Sequence, residues 1–501
     1  MESEDNRALD EFFSNSNETL TYDDVRLKTD YSEVLPGETS LATRFSRNVA
    51  LGMPIISAAM DTVTEAEMAI AMAENGGLGI IHKNLKPKEQ AKQVNRVKLH
   101  LNGLIENPIC VDVDNTLEQV LRMREEHGFP FHSFPVIKDG ILVGLLTRND
   151  FDFASDVSLS VHQVMTRRDD LITAPHGTTI TEAYELMQRR KKKVLPLLDQ
   201  DGKVVGMYIF SDLKRIHSNR SIYNIDAAGH LRVAAAVGIG AGALERAGLL
   251  AAKRCDLFVV GTAHGDSKNV HDTVKELKRL YPHIDIVAGN ISRGEAAKRL
   301  VDIGADGVLV GQGPGSICTT RVVAGVGCPQ VSAVYECVKA LRGTGVPVCA
   351  DGGIDNSGDI VVALGIGAQS VILGRLLAGT DEAPGETRMI DGAKIKEYRG
   401  MGSLGAMQAS VSSREQYRQT KDDKLVPEGV ESIAPYLGPV SDILAQYLGG
   451  VRSGMGYVGA RTIAELAKKA SLMRITASGL RESHPHDVRI VKDAPNYRRQ
   501  S

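Results

Sequence analysis

The chain has 501 residues, of which 43% are hydrophobic and 24% charged; 59 Lys and Arg face 62 Asp and Glu, for a net charge of −3. This length exceeds one typical domain, and the balanced charge argues against DNA as a partner. Six scattered cysteines without a Cys-x-x-Cys pair, an acidic start and no long apolar run argue against a disulfide scaffold, a zinc site and a membrane span. They predict a reduced, cytoplasmic protein.

Eight short apolar runs are candidate strands, because each ends in or before residues typical of turns. In chain order they are 54–57, 77–81, 231–237, 257–260, 284–288, 307–310, 347–350 and 370–373. Helical spacing of apolar residues separates most of them, at 65–74, 244–252, 269–280, 293–303, 333–342 and 357–364. Repeated strand and helix predict an α/β fold, a (β/α)₈ TIM barrel whose chemistry lies on the loops after the strands. A doubly wound open sheet is the alternative.

The interval between the second and third strands is far longer than an ordinary βα connection, which predicts an inserted domain. Residues 134–150 of this insert return at 195–212, with Gly144 and Gly206 offset by 62. The repeat divides the chain into a first barrel part (1–104), two similar modules (105–163 and 164–220) and a second barrel part (221–501).

The two modules resemble paired cystathionine-β-synthase (CBS) domains. The resemblance implies an adenine or guanine nucleotide effector, with a purely structural pair as the alternative. Thr147 and Asp150 match the pattern that holds a ribose in such domains, whereas Ile209 replaces the hydroxyl in the second copy.

A glycine-rich segment follows the sixth strand and reads Gly-Gln-Gly-Pro-Gly-Ser-Ile-Cys-Thr-Thr-Arg over 311–321. Glycines allow tight turns, so this loop would present Cys318 at the barrel mouth. A thiolate near a cation such as Arg321 can attack an electron-poor carbon. Cys318 is therefore a candidate nucleophile. Three other cysteines lie on or near predicted strands and helices and are better explained as small buried apolar residues; they are Cys255, Cys337 and Cys349.

Two further strand ends predict a phosphate site. Asp351-Gly352-Gly353 ends the seventh strand and Gly374-Arg375 ends the eighth, where barrels often bind phosphate through backbone N–H groups. Asp351 would then contact ribose hydroxyls, or alternatively cap the next turn. A third glycine run at 238–242 is not a dinucleotide fingerprint, because the following strand ends in Gly261 rather than an acidic residue.

Several motifs together closely resemble the IMP dehydrogenases, within the IMP dehydrogenase and GMP reductase superfamily. They are the cysteine loop, the CBS pair, Ser-Ala-Ala-Met-Asp-Thr-Val-Thr-Glu at 57–65, Asp-Gly-Gly-Ile at 351–354, Tyr-Arg-Gly-Met-Gly-Ser at 398–403 and Val-Pro-Glu-Gly at 426–429. The likeness covers roughly residues 20 to 497. The sequence Gly-Met-Gly-Ser-Leu-Gly at 400–405 favours the dehydrogenases over the reductases.

The resemblance implies that Cys318 adds to C2 of IMP, that hydride leaves to NAD, and that water hydrolyses the covalent thioimidate to xanthosine monophosphate. This is the committed step of guanine nucleotide synthesis. The implied catalytic residues are Cys318, Thr320, Glu428, Tyr417 and Gln416. Implied substrate residues are Ser57, Ser316, Asp351, Gly353, Gly374, Arg375, Tyr398, Met401, Gly402 and Glu428. Implied cofactor residues are Gly261, Thr262, Asn290, Gly311 and Gly313.

The resemblance also implies a monovalent cation, usually potassium, on the carbonyl groups of Gly313, Gly315 and Cys318. A neighbouring subunit would supply the remaining ligands, which implies a homotetramer. Those ligands match Glu482, Ser483 and His484.

Three positions depart from the family pattern. Gly261 replaces an Asp that contacts the nicotinamide half of NAD, and Gln312 replaces an aliphatic residue beside the cysteine loop. In the mobile flap, about residues 400–450, Gln416 precedes Tyr417 where the dehydrogenases have Arg as the base toward the hydrolytic water.

A neutral amide cannot accept that proton, so hydrolysis would need another base. The candidates are Arg414 or Arg418 after a register shift, or the pair of Thr320 and Glu428. GMP reductases lack the flap Arg because they expel ammonia from GMP, with NADPH as reductant, without hydrolysis. A GMP reductase and a non-catalytic purine-nucleotide-binding relative are therefore the alternative functions.

Overall fold

The structure is a computed structural model and describes residues 6–14, 18–101, 103–127, 129, 131–154, 156–417, 419, 424–491 and 494–497. It contains two compact units. One comprises the described residues up to Lys98, Ile222–Asn224 and those from Leu231 onward; the other comprises Leu99–Ser221 and Ile225–His230. Within the described part of the chain, no helix combines the length and the apolar character needed to cross a membrane.

Eight parallel strands close into a barrel in the first unit. They are β1 (Ile55–Ser57), β2 (Leu78–Ile81), β3 (Ala234–Ala236), β4 (Leu257–Gly261), β5 (Asp285–Ile291), β6 (Gly307–Val310), β7 (Val348–Asp351) and β8 (Ser370–Leu373). Strands that follow one another in the sequence pair in parallel, as β1 does with β2. The pairing of β2 with β3 joins the first barrel part of the chain to the second. The strands are almost entirely buried, as expected for a parallel sheet covered on both faces. The closed barrel confirms the predicted TIM-barrel fold and excludes the open sheet.

Eight helices surround this barrel. They are α1 (Ala66–Glu74), α2 (Pro87–His100), α3 (Gly240–Ala251), α4 (Lys268–Leu280), α5 (Gly294–Asp302), α6 (Gln330–Ala340), α7 (Ser357–Gly365) and α8 (Val440–Val458). α8 packs against α7 and α1, which completes the ring. The prediction that α3 begins at residue 244 was wrong by one turn. The N–H of Gly240 donates to Thr273 Oγ1 at 2.9 Å, which ties the glycine-rich first turn to α4.

Shorter elements complete the first unit. Strands occur at Val25–Leu27, Thr43–Arg44, Ala50–Leu51, Arg388–Ile390, Ala393–Arg399, Glu431–Pro435 and Leu472–Arg474. Short α-helices occur at Arg7–Ser14, Thr320–Val323, Arg375–Ala378, Leu404–Ala409, Val411–Gln416, Ile463–Lys469 and Ala477–Glu482.

The second unit contains two four-stranded sheets. The first is built from Val111–Asp112, Phe134–Lys138, Ile141–Leu146 and Thr166–Arg167, and the second from Ile105–Glu106, Ala174–Pro175, Val194–Leu198 and Val204–Ile209. Its helices are Leu117–His127, Arg148–Asp152, Val161–Val164, Ile180–Arg190 and Phe210–Asn219. In the first repeat, Asp139 and Gly140 form a two-residue hairpin turn with φ values of 52° and 82°.

The N-terminal helix Arg7–Ser14 is held by an ion pair on the outside of the barrel. The two terminal guanidinium nitrogens of Arg342 each donate to the carboxylate of Asp10 at 2.8 Å. The hydroxyl of Tyr335 donates to the same carboxylate at 2.6 Å. Phe13 stacks on the Tyr335 ring at 3.8 Å between centroids. The Arg342 bonds, together with Tyr335, lower the pKa of Asp10 to about 2, against a smaller opposing effect of burial.

Candidate active site

A cavity of about 230 Å³ opens at the carboxyl ends of the barrel strands. Loops that are far apart in sequence contribute to it, because the barrel brings all its strand ends to one face. It is lined by most of the residues that the sequence indicated, which are Cys318, Thr320, Glu428, Tyr417, Gln416, Ser316, Asp351, Gly353, Gly374, Arg375, Tyr398, Met401, Gly261, Thr262, Asn290, Gly311, Gly313 and Gly315.

Five indicated residues do not line this cavity. Ser57 is buried in β1, where its hydroxyl accepts a hydrogen bond from Thr64 at 2.9 Å. Gly402 lies behind Tyr417, and a Cβ at this position would come within 2.5 Å of the tyrosine ring. The other three, Glu482, Ser483 and His484, follow one another at the end of the helix Ala477–Glu482.

The cysteine loop is fixed by backbone hydrogen bonds to residues 428–430 of the flap, which directly precede the strand Glu431–Pro435. The N–H of Thr319 donates to the carbonyl of Glu428, and the N–H of Val430 donates to the carbonyl of Ile317, both at 3.0 Å. The Cys318 thiol donates to Thr320 Oγ1 at 3.2 Å. A hydroxyl can accept from the thiol or donate to the thiolate, so Thr320 can stabilise both forms of the nucleophile.

Tyr417 faces this nucleophile from the flap. Burial raises the pKa of its phenol above the ordinary value, and the charges of Cys318 and Glu428 raise it further. The phenol is therefore neutral at pH 7 and can donate a hydrogen bond into the cavity.

Asp351 lies at the end of β7 and is held by Asn290. The Asn290 amide donates to the Asp351 carboxylate at 2.7 Å and to the carbonyl of Gly311 at 3.0 Å. Burial raises the pKa of Asp351 to about 6, and the Asn290 bond opposes this rise. The sequence indicated Asn290 as a cofactor-binding residue and Asp351 as a ribose-binding residue. Asn290 thus also holds the side chain of Asp351 in place.

The loops after β7 and β8 form the candidate phosphate site. Gly352 and Gly353 have φ values of 87° and 76°, which only glycine adopts readily. A Cβ on Gly374 would lie 3.1 Å from the hydroxyl of Tyr398, so a side chain at this position would crowd the tyrosine. Burial raises the pKa of Tyr398 to about 12, opposed by a hydrogen bond with Ser316. Exposed N–H groups with neutral hydroxyl donors are suited to an anion.

The flap covers the side of the cavity formed by β2 and β4. The carbonyl of Gln416 accepts from the N–H of Ala263 at 3.1 Å, and Ser413 donates to Asn84 at 3.0 Å. Arg414 donates to the carbonyl of Met407 at 2.7 Å and so binds the flap itself. Arg418, the other arginine considered as a base, lies outside the described residues.

Sequence reasoning missed Lys83, which follows β2 and lines the cavity. The side chain is buried, and its ammonium group has no hydrogen-bond partner among the described residues. Burial lowers the pKa of Lys83 to about 8, although the charge of Glu415 on the flap opposes this shift. A charged residue directly after a buried barrel strand was the signal in the sequence that could have identified it.

Comparison with known proteins identifies the family. The domain described as "IMP dehydrogenase / GMP reductase domain" matches residues 19–486. The chain belongs to the IMP dehydrogenase / GMP reductase family.

Curated relatives in this family match over nearly their whole length. The inosine-5'-monophosphate dehydrogenase of Aquifex aeolicus is 48% identical over 96% of this chain and 98% of its own. The Bacillus subtilis enzyme of the same name is 45% identical with the same coverage.

A solved member of the IMP dehydrogenase / GMP reductase family has the same fold. It is a GMP reductase variant from Trypanosoma brucei in complex with guanosine 5'-monophosphate. It superposes with a TM-score of 0.85 at 39% identity and covers 95% of this chain and 100% of that chain.

Proposed function

We propose that this chain oxidises IMP to xanthosine monophosphate with NAD, through a covalent intermediate on Cys318. The observation that carries the proposal is the Cys318 thiol, 3.2 Å from the Thr320 hydroxyl, in the same cavity as Asp351 and the glycine loops after β7 and β8. A nucleophile, a ribose acceptor and an anion site together suit a purine nucleoside monophosphate. Relatives named IMP dehydrogenase, at 44–48% identity, support this choice.

In the first step, the Cys318 thiolate forms a bond with C2 of the purine, and C2 loses a hydride. NAD, when bound, accepts this hydride. In the second step, water adds to C2 and the Sγ–C2 bond breaks, which releases xanthosine monophosphate and one proton. Thr320 lies beside Cys318 in the cavity that Glu428 also lines, so it would accept the proton from water while passing its own hydroxyl proton to Glu428. The side chain of Arg414 is bound to the carbonyl of Met407 instead.

The residues present fit NAD in one respect and depart from the family in another. Lys83 lines the same cavity as Gly261 and Thr262, and its ammonium group has no hydrogen-bond partner among the described residues, so it would be free to bind an oxygen of the dinucleotide. Asn290, Gly311 and Gly313 would lie along the same cofactor. Gly261 offers no side-chain acceptor, although the space around it would admit one, since a Cβ there meets only Val259 at 3.7 Å.

Potassium would bind carbonyl groups of the cysteine loop, on Gly313, Gly315 and Cys318. Neutral carbonyl oxygens are ligands suited to a monovalent cation. In a homotetramer, Glu482, Ser483 and His484 of a neighbouring subunit would complete the site.

The insert between β2 and β3 would be a CBS pair, with modules at 105–163 and 164–220 and an adenine or guanine nucleotide as effector. Thr147 and Asp150 form a capping box at the start of the helix Arg148–Asp152, with bonds of 2.6 and 2.9 Å from Thr147 to the Asp150 carboxylate. A ribose at this site would have to share that carboxylate. The protein would act in the cytoplasm.

A GMP reductase is the second candidate function. Gln416 lines the cavity without a basic side chain, and a reductase that expels ammonia needs no base for water. The Trypanosoma brucei relative named GMP reductase adds to this alternative. A non-catalytic nucleotide-binding protein would bind the same purine nucleotides without turnover.

Two parallel assays separate these functions. We expect IMP with NAD to produce NADH, followed at 340 nm, and xanthosine monophosphate, identified by chromatography. GMP with NADPH should give no loss of absorbance at 340 nm. The reverse pattern would replace the dehydrogenase with the reductase, and nucleotide binding without either reaction would indicate a non-catalytic relative.

A further inference from the structure

Gln312 connects three loops of the barrel mouth through its side chain. Its Oε1 accepts from Ser292 at 2.6 Å, and its Nε2 donates to the carbonyl of Ala263 at 3.0 Å. Nε2 also lies 3.3 Å from Nδ1 of His264. A carbonyl oxygen can only accept, so the nitrogen of the amide must face Ala263 and the oxygen must face Ser292.

The backbone of Gln312 extends this network to the far end of the cysteine loop. Arg321, three residues after Cys318, donates through Nε to the carbonyl of Gln312 at 3.1 Å. The positive φ of Gly313, 79°, turns the chain between these two groups. Gln312 therefore connects the cysteine loop, to which it belongs, with the loop after β4.

Ala263, together with Asn84, is one of the residues on which the flap docks. Its N–H donates to the carbonyl of Gln416, while its carbonyl is held by the Gln312 amide. The neighbouring peptides are fixed as well. The N–H of Thr262 donates to the carbonyl of Gly289, and the N–H of Asn290 donates to the carbonyl of Thr262. The N–H of Gly265 donates to the carbonyl of Asn290. The carbonyl of Ala263 is held by a side chain that one substitution can remove.

We propose that Gln312 is a positioning residue for flap closure: its amide orients Ala263 so that the flap docks through Gln416. The hydrogen bonds of the amide go to Ser292, Ala263 and His264 rather than to Cys318 or the residues assigned to IMP, so we expect its effect to pass through the flap. The inference rests on the proposed function only for the consequence of closure, which is hydrolysis of the Cys318 adduct.

The first test measures closure without turnover. Trypsin cleaves after Arg414, which is half-buried in the docked flap. Loss of one hydrogen bond that stabilises closure should raise the open population and the cleavage rate about five-fold. We expect this in Gln312→Met, which keeps the length of the side chain, and in Gln312→Glu, which keeps the acceptor for Ser292 but loses the donor for Ala263.

Gln408→Met is the matched control, because Gln408 is an exposed glutamine of the flap. It should be cleaved at the unaltered rate. Unchanged cleavage at Arg414 in both Gln312 variants would overturn the proposal, and thermal melting identifies a variant that has not folded.

The second test uses IMP and NAD. A rapid first turnover of NADH should keep its rate and amplitude in both Gln312 variants, while the steady-state rate falls about five-fold. A loss of the first turnover with unchanged cleavage would mean that Gln312 serves the nucleophile or the cofactor instead. If the unsubstituted protein forms no NADH at all, the proposed function fails, but the tryptic test still decides the role of Gln312.

Discussion

Removing the amide of Asn290 should change the pH dependence of nucleotide binding. Burial raises the pKa of Asp351 to about 6, and the 2.7 Å bond from Asn290 opposes this rise. A hydrogen bond to a charged group is worth about 1.5–3 kcal/mol, and one pKa unit corresponds to about 1.4 kcal/mol. Asn290→Ala should therefore raise the pKa of Asp351 by about one to two units.

The assay is calorimetric titration of IMP in the absence of NAD, from pH 5.5 to 8.5. The ionised carboxylate of Asp351 accepts from ribose hydroxyls, so affinity should fall as pH drops through about 6 in the unsubstituted protein. The midpoint should lie about one to two units higher in Asn290→Ala. The phosphate of IMP also titrates in this pH range, but its effect on affinity is the same for both proteins and cancels when their midpoints are compared.

Asn84→Ala is the control, because the Asn84 side chain bonds Asp61 and the flap residue Ser413 but not Asp351. Its midpoint should equal that of the unsubstituted protein. An unmoved midpoint in Asn290→Ala would refute the reasoning, since it would mean that Asn290 does not hold the charge of Asp351 or that Asp351 does not bind the nucleotide.

Three other perturbations test separate parts of the account. Gln416→Arg should raise the rate of adduct hydrolysis by roughly 10²- to 10⁴-fold and leave the hydride step unchanged, as measured by stopped-flow absorbance; no gain would argue against hydrolysis at this flap. Replacing residues 105–220 with a short linker should preserve turnover, because the barrel strands lie outside this segment; a soluble but inactive product would contradict this. Asp10→Asn should lower the free energy of unfolding by roughly 1 kcal/mol at pH 7. Since the folded-state pKa of Asp10 is depressed to about 2, this difference should shrink as pH falls from about 4 to 2, as followed by urea unfolding; a constant difference would contradict the ion pair with Arg342.

The strands of the barrel could be predicted because each contains a short apolar run that is buried on both faces. β6 and β8 match their predicted bounds, 307–310 and 370–373, whereas the run 231–237 forms a strand only over Ala234–Ala236. Burial of the flanking residues Leu231, Val233 and Val237 explains the longer apolar pattern. Hydrophobicity reports burial, but it does not report where strand pairing stops.

Much of the candidate site could be predicted from strand ends, since a barrel gathers them on one face. Contacts between distant loops could not. The bond from Gln312 to Ala263 joins residues 49 apart, and that from Ser413 to Asn84 joins residues 329 apart. No local pattern encodes such pairs, so the docking of the flap appears only in the folded chain.

Covalent labelling of Cys318 tests the central claim most directly. The protein is mixed with IMP and NAD, quenched in acid within one turnover, digested and analysed by mass spectrometry. The account predicts a purine nucleotide on the peptide that contains Cys318, formed together with NADH, and neither product in Cys318→Ala. NADH formation by Cys318→Ala, or turnover without any adduct on that peptide, would contradict it.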